Sequence, residues 1–368
     1  MKNFILIISF SIFSISLISQ EKINDNIKEE VPIKEQIKKR LEILDKESPM
    51  EFIFNEINYK YIQKYLTKDR KLISRMLAIS PYYFPMIEQQ LDRFDIPLEL
   101  KYLTIVESAL NPRAKSRSGA TGIWQFMYPT GKQYGLEVTS YIDERKDPLK
   151  ATIAACEYLE YLYNVFEDWN LALAAYNAGP GYLMRLIEKK QLKDYWSLRP
   201  YLRKETQGYI PAFVGVTYAM KYYEDHDIKI SETNINLNEI DTISFKYEVP
   251  YYIFSEMFCV PNESLDYLNP SFKKDILPKK EVISLPVDAI MDIVRNEEYI
   301  LDYLSRVERK EILVNEKREV YIVVKGDSLS KIGKKYNVKV NEIKKWNNLT
   351  SDHLSVGDKL ILYVAQED

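Results

Sequence analysis

Between Asp95 and Pro112, apolar side chains recur every three or four positions, at Leu103, Val106 and Leu110. That spacing predicts a short helix with one apolar face. Asp95 is placed to cap it, Pro97 suits its first turn, and Asn111-Pro112 should end it. Glu107 stands in the same stripe, one turn after Leu103. Residues 148–166 open with Pro148 and keep Ile153, Leu159 and Leu162 on one side, while the short apolar run 170–178 is stopped by Gly179-Pro180-Gly181. Nearly everything from 81 to 225 follows this helical period, so a small all-helical domain with a cleft is expected there. Residues 20–80 are dense in Lys, Glu, Ile and Leu with irregular helical spacing, which predicts a helical extension. No heptad persists through three repeats, so a coiled coil is not expected. Pro81 and Pro85 read as punctuation between the extension and the domain.

The C-terminal third carries a repeat. Residues 320–364 show a short strand, a Gly326-Asp327 turn, two short helical patterns, then Gly357-Asp358 and a closing strand. Shifted back by 78 residues, the apolar frame recurs without a gap: Phe254 matches Ile332, Val260 matches Val338, Leu265 matches Ile343, and Val282 matches Leu360. Two tandem βααβ modules are implied, over 240–287 and 320–364. The first has Glu248-Val249 where the second has Gly326-Asp327, so it is expected to be a degenerate copy that keeps the fold without the turn. Residues 288–319, rich in Glu, Arg and Lys, read as a charged helical connector.

Composition narrows the chemistry. The 368 residues are 46% hydrophobic and 29% charged, with a net charge of -3, which gives no reason to expect nucleic acid as a partner. With two histidines and two cysteines far apart, no zinc or iron site of ordinary spacing can be built, and no cofactor or metal is expected. Cys156 and Cys259 read as small core residues. Lys2 followed by an apolar run from Phe4 to Ile18 reads as a cleaved signal peptide over residues 1–19, hence an exported protein. No cysteine precedes Cys156, so a lipid-bearing N-terminal cysteine is not expected.

The strongest chemical signal is ESALNPRAKSRSGATGIWQFM at 107–127. A glutamate in an apolar stripe most often reaches water or pairs with a base. Here, however, a Pro/Ser/Gly-rich loop follows it, in which backbone and hydroxyl groups can lie close to a ligand. Burial would also raise the carboxyl pKa toward that of a general acid. Glu107-Ser108, Gly122-Ile123-Trp124-Gln125, Ala175-Tyr176-Asn177-Ala178-Gly179 and Glu205-Thr206-Gln207-Gly208-Tyr209 occur in that order. This constellation resembles the catalytic domain of the soluble-lytic-transglycosylase type. Ile123-Trp124 departs from the common Leu-Met and is similar to a membrane-bound branch of that family; it bears on the shape of the neighbouring subsite. The second C-terminal module resembles a LysM domain, and the degenerate first copy is not expected to have a dependable affinity for sugar.

The resemblance implies a mainly α protein: a lysozyme-like helical catalytic domain over 81–225, followed by small α/β (βααβ) modules of LysM type. It implies a periplasmic or cell-envelope enzyme whose partner is the glycan strands of peptidoglycan. Glu107 would be the lone acid and then base, yielding a 1,6-anhydro product. Ser116 and Gln125 would hydrogen-bond substrate or hold Glu107. Tyr209 would donate to Glu107, Asn177 would hold an acetamido group or its own loop, and Met127 and Tyr176 would line the sugar cleft. In their bland readings Met127 and Tyr176 are core residues and Asn177 satisfies a turn. Glu205 suggests a structural role more than a nucleophile. The rivals are a goose-type lysozyme-like hydrolase on the same fold and a non-catalytic wall-binding scaffold.

Overall fold

Ile37, Leu41 and Leu44 fall on one side of α1 (Ile33–Glu47), and burying them attaches this helix to the rest of the chain. The computed structural model describes residues 33–232, 239–309, 316–347 and 349–365. The leader expected over 1–19 and the first part of the extension expected over 20–80 lie outside the described residues. α2 (Glu56–Leu66) is capped by Asn55, whose side chain accepts from the amides of Ile57 and Asn58. α3 (Arg70–Arg93) then runs on past Pro81 and Pro85, so the prolines expected as punctuation lie inside a helix. Pro81 has no N–H to give Leu77 O, but Ser80 Oγ lies 3.4 Å from that carbonyl and offers it a donor.

A 3-10 turn (Leu98–Tyr102) leads into α4 (Leu103–Ser108). Asp95 does not cap it, because its backbone is left-handed (φ 53°) and Pro97 holds the N-cap position. The helix stops short of Asn111-Pro112 because Ala109 and Leu110 both turn left-handed, at φ 53° and 56°. Their amides fold back onto Ile105 O (2.9 Å) and Thr104 O (3.2 Å), which satisfies the last turn. α5 (Tyr128–Gln133), α6 (Pro148–Phe166), α7 (Trp169–Ala178), α8 (Pro180–Lys190), α9 (Tyr195–Leu198) and α10 (Lys204–Lys221) complete the helical body. One apolar core runs from Ile37 on α1 to Ile228 just past α10, so α1 and α2 are packed into the helical body itself. Among the described residues, no helix is long and apolar enough to cross a membrane.

α10 is buried along most of its length. Two glycines on its face toward α2 permit this. A Cβ at Gly208 would sit 2.5 Å from the Tyr61 hydroxyl, and one at Gly215 would sit 2.9 Å from Tyr65 Cδ2.

Both C-terminal modules have the βααβ plan. In the first, β1 (Ile240–Ile243) is followed by β2 (Val249–Pro250), α11 (Tyr251–Phe258), α12 (Asn262–Leu268), β3 (Ile276–Leu277) and β4 (Ile283–Pro286). β1 pairs antiparallel with β4, Ile243 opposite Ile283. α13 (Val287–Arg295) and α14 (Glu297–Glu308) come next. They were expected to form a charged connector, yet Ala289, Ile293, Ile300 and Leu304 are buried in the first module's core, with the charges left on the outer face. In the second module, β5 (Glu316–Ile322) pairs with β6 (Lys359–Ala365) around α15 (Leu329–Tyr336) and α16 (Val340–Trp346). The 78-residue shift superimposes both helix pairs but fails at the closing strand. Val282 is 69% exposed whereas Leu360 is 2% exposed. Ile283 and Leu285 are the true counterparts of Leu360 and Leu362, so the second module is one residue shorter after α16. A one-residue slip in a strand exchanges its faces, which is why apolar matching alone misplaced it. Cys156 is buried as expected, but Cys259 is exposed. It ends α11 in a left-handed turn (φ 53°), the position taken by Asn337 (φ 54°) after α15.

Gly215→Ala should destabilise the protein by about 1–3 kcal/mol through overpacking. Urea unfolding followed by circular dichroism measures it. An unchanged midpoint would mean that α2 and α10 do not meet this closely.

Candidate active site

Glu107 occupies the penultimate position of α4, and α4 is pinned there from both ends of its motif. Ser108 Oγ lies 3.0 Å from both Thr104 O and Ile123 O, so the second residue of the Glu-Ser pair ties the helix to the small-residue loop. That loop, Ser116–Met127, folds back on itself: the amides and carbonyls of Thr121 and Phe126 bond reciprocally at 3.0 Å. Gly122 has φ 91°, and a Cβ on it would lie 1.7 Å from Arg145 O, so only glycine fits. Arg145 is buried and held by Asp143 through two bonds of 2.9 and 2.8 Å, and its Nη1 donates to Gly119 O (3.2 Å) and Phe126 O (3.3 Å).

The loop, α4, α2, α7 and α10 enclose a cleft of about 570 Å³ that holds Glu107, Ser116, Gln125, Met127, Tyr176, Asn177 and Tyr209. All seven residues singled out in the sequence therefore meet at one place. A hollow of about 640 Å³ elsewhere, lined by Glu47, Asp92, Glu99, Glu160 and Trp169 among others, contains none of them.

Their side chains are engaged differently. Tyr209 on α10 donates its hydroxyl hydrogen to Glu107 Oε1. Tyr176 spends its hydroxyl on Trp124 O (2.7 Å) and packs against Phe126 and Tyr158, so it supports the loop from below. Gln125, at φ 50°, turns its Nε2 to Gly122 O (2.9 Å) and Ala114 O (3.3 Å), so that group braces the turn. Ser116 Oγ accepts from the Ala120 amide at 3.0 Å and meets Ser118 Oγ at 2.9 Å. Asn177 Oδ1 accepts from Thr206 Oγ1 at 2.8 Å, joining α7 to α10. Met127 is 41% exposed at the rim. Trp124 faces the core, its indole donating to Thr152 at 2.9 Å, so the Ile123-Trp124 departure changes the packing beneath the loop.

Sequence reasoning did not include Tyr61, Lys64 and Tyr65, which line the cleft from α2, nor Lys204 and Ala212 from α10. No motif marks them, although Gly208 and Gly215 on α10 leave the room that Tyr61 and Tyr65 occupy. Glu205, read as structural, is exposed and lines the same cleft on the first turn of α10.

Burial pushes the Glu107 carboxyl up to about 7; the Tyr209 hydrogen bond opposes this and the charge of Glu205 adds to it. Burial and the neighbouring carboxylate hold the Tyr209 and Tyr176 hydroxyls well above their ordinary range, so both remain protonated donors. One carboxyl poised near neutrality beside a fixed donor, in a cleft open to an extended ligand, can exchange a proton with a bound oxygen.

Residues 85–198 match the family described as the transglycosylase SLT domain, and residues 321–362 match the LysM domain. The chain is 29% identical over 310 residues to membrane-bound lytic murein transglycosylase D of Escherichia coli K12, covering 82% of this chain and 67% of that protein. It is 33% identical over 178 residues to membrane-bound lytic murein transglycosylase F of Pseudoalteromonas translucida, covering 42% of this chain and 36% of that one. Among solved structures it is similar to the 70 kDa soluble lytic transglycosylase of E. coli, with a TM-score of 0.34, 25% identity, and coverage of 42% of this chain and 26% of that chain. The chain thus spans about a quarter of that structure.

Because the neutral form of Glu107 is favoured on folding, this group is without cost below the unfolded carboxyl value near 4.5 and costs stability as pH rises through about 7. Glu107→Gln should therefore melt several degrees above the parent at pH 8, at about 2–4 °C per kcal/mol relieved, and within a degree or so of it at pH 4. Equal shifts at both pH values would show that the carboxyl is not desolvated.

Proposed function

We propose that this chain, which carries a transglycosylase SLT domain and a LysM domain, cuts the β-1,4 bond between N-acetylmuramic acid and N-acetylglucosamine and closes the muramic end into a 1,6-anhydro ring. It is a peptidoglycan lytic transglycosylase; the product and the residue roles are the proposal. The observation that carries it is the Glu107–Tyr209 pair: a desolvated carboxyl raised to about 7, with a phenol donor on one oxygen.

The steps follow from that pair. Protonated Glu107 gives its hydrogen to the glycosidic oxygen as the C1–O bond breaks, and the N-acetylglucosamine side leaves as an alcohol. Glu107, now a carboxylate, is stabilised by the Tyr209 hydrogen bond. It then takes the proton of the muramic C6 hydroxyl while that oxygen bonds C1. The carboxyl ends as it began and no water is consumed. An internal acceptor held next to C1 has the advantage of intramolecular reaction. Ser116, Ser118 and Met127 on one wall, Asn177 on α7, and Tyr61 on the opposite wall hold the sugars in this register. The LysM domain keeps the enzyme on the strand by raising its local concentration. Such an enzyme works outside the cytoplasm, on the wall.

Glu205 supports a second reading. A solvent-facing carboxylate in the cleft, near enough to raise Glu107, would activate water for hydrolysis as in two-carboxylate glycosidases.

Muropeptides released from purified sacculi distinguish the two by mass spectrometry: anhydro ends support ring closure, reducing ends support hydrolysis. Glu107→Gln should lower kcat at least 100-fold, as loss of a general acid does. Parental digestion by that variant would remove Glu107 as the acid. Removing residues 320–368 should weaken sacculus binding about 10-fold or more while leaving kcat on short soluble glycans unchanged.

A further inference from the structure

We propose that the first βααβ module is a positioning element of the catalytic cleft, acting through residues 139–146 on the loop Ser116–Met127. The inference rests on the reading of this cleft as the active site.

The two modules share a fold but not a situation. In the second, the stretch after α16 is open: Thr350, Ser351, Asp352 and His353 are all exposed. In the first, the equivalent stretch after α12 meets the helical body through Phe272, while Lys273, Lys274 and Asp275 stay exposed at its edge. Phe272 is buried, and Ile142 of the helical body packs into the module's core beside it. Ile142 and Phe272 form an antiparallel bridge, with the Asp143 amide donating to Ser271 O and the Lys273 amide donating to Tyr141 O, each at 2.8 Å. Lys273 Nζ donates to Thr139 O at 2.6 Å, and its neighbour Lys274 lies 4.2 Å from the centre of the Tyr141 ring. On the other side, Asp266 of α12 pairs with Arg113 at 2.6 Å. The module therefore grips the segment from Thr139 to Asp143 and the start of the catalytic loop region at once.

What lies at the end of that grip is the cleft. Ser271 fixes the backbone of Asp143; the Asp143 carboxylate fixes Arg145; Arg145 Nη1 holds Gly119 O and Phe126 O, on either side of the Gly122 turn. Both carboxylate and guanidinium are buried, so the pair has no water to substitute for a lost partner. The carbonyl of Arg145 also fills the space a side chain at Gly122 would need. Ser116, Ser118, Ala120, Gln125 and Met127, which line the cleft, are carried by the loop so held. A shift of the module thus reaches the substrate wall through covalent chain and five hydrogen bonds, without any contact between the module and the sugar. This accounts for a module that keeps its core while losing the Gly-Asp turn of its sister: packing is retained, and the exposed turn is not needed.

The test uses the full chain with Asp266→Arg, which sets like charges against Arg113, and separately Lys273→Ala. The swapped pair Arg113→Asp with Asp266→Arg serves as rescue. Three quantities are read: kcat and KM on soluble glycan strands, sacculus pull-down, and amide hydrogen exchange of Thr121, Gly122 and Phe126. Each single variant should lower kcat about 3- to 10-fold, leave pull-down at the parental level, and speed exchange at those three amides. The swapped pair should restore both. Exchange is read without turnover, so this arm stands or falls separately from Glu107 as the acid. Parental kcat and parental loop exchange in both variants would overturn the proposal. So would weakened pull-down with parental kcat, which would make the module a second wall-binding unit, and so would exchange rising uniformly over the helical body, which would reduce the contact to general stability.

Discussion

Taking one carboxyl group out of water governs this molecule. Glu107 is kept protonated up to about pH 7 by what surrounds it, and everything that surrounds it must be brought in from separate parts of the chain: α4 for the backbone, α10 for Tyr209, α7 for Tyr176, and the glycine-bearing loop for the open side. None of these can be near the others unless α10 is buried almost throughout. The close fit of α2 onto Gly208 and Gly215 makes that burial complete. The electrostatics of the site are thus a product of helix packing that runs from Gly208, beside Tyr209, to Gly215 further along α10.

The same economy shows in the polar groups of the cleft. Several side chains that a sequence reader assigns to the sugar are occupied with protein. Tyr176 bonds Trp124 O, Gln125 bonds the turn it belongs to, and Asn177 bonds Thr206. Each leaves some capacity toward the cleft, but their first work is to hold a ring of backbone in an unusual shape, with left-handed residues at Ala109, Leu110, Gly119, Gly122 and Gln125. Backbone strain of this kind persists only where neighbours over-determine it.

How much of this was legible beforehand depends on range. Glu107, the loop, Tyr176 and Tyr209 stood out because each sits in a short motif whose members are close in sequence, and the helices carrying them follow an apolar period. The βααβ repeat was legible for the same reason, as α11 and α12 match α15 and α16 residue for residue. Tyr61, Lys64 and Tyr65 were not, because a cleft wall from a distant helix leaves no local signature. Asp95 was misread because a carboxylate before a proline looks like a cap whatever its φ, and here φ is positive. Pro81 and Pro85 were misread because a neighbouring serine hydroxyl, not the backbone, answers for one lost bond. Val282 was misplaced because one residue fewer in a loop cannot be heard in a two-residue rhythm.

The span recognised as the transglycosylase SLT domain, 85–198, begins partway along α3 and stops before α10. A polypeptide trimmed to those limits would keep Glu107 and the glycine turn yet lack the phenol that answers the acid, the helix that walls the groove, and the apolar surface against which both sit. It would be an acid without a pocket, with its interior side chains presented to solvent. The unit that buries Glu107 is larger than the span matched to the transglycosylase SLT domain.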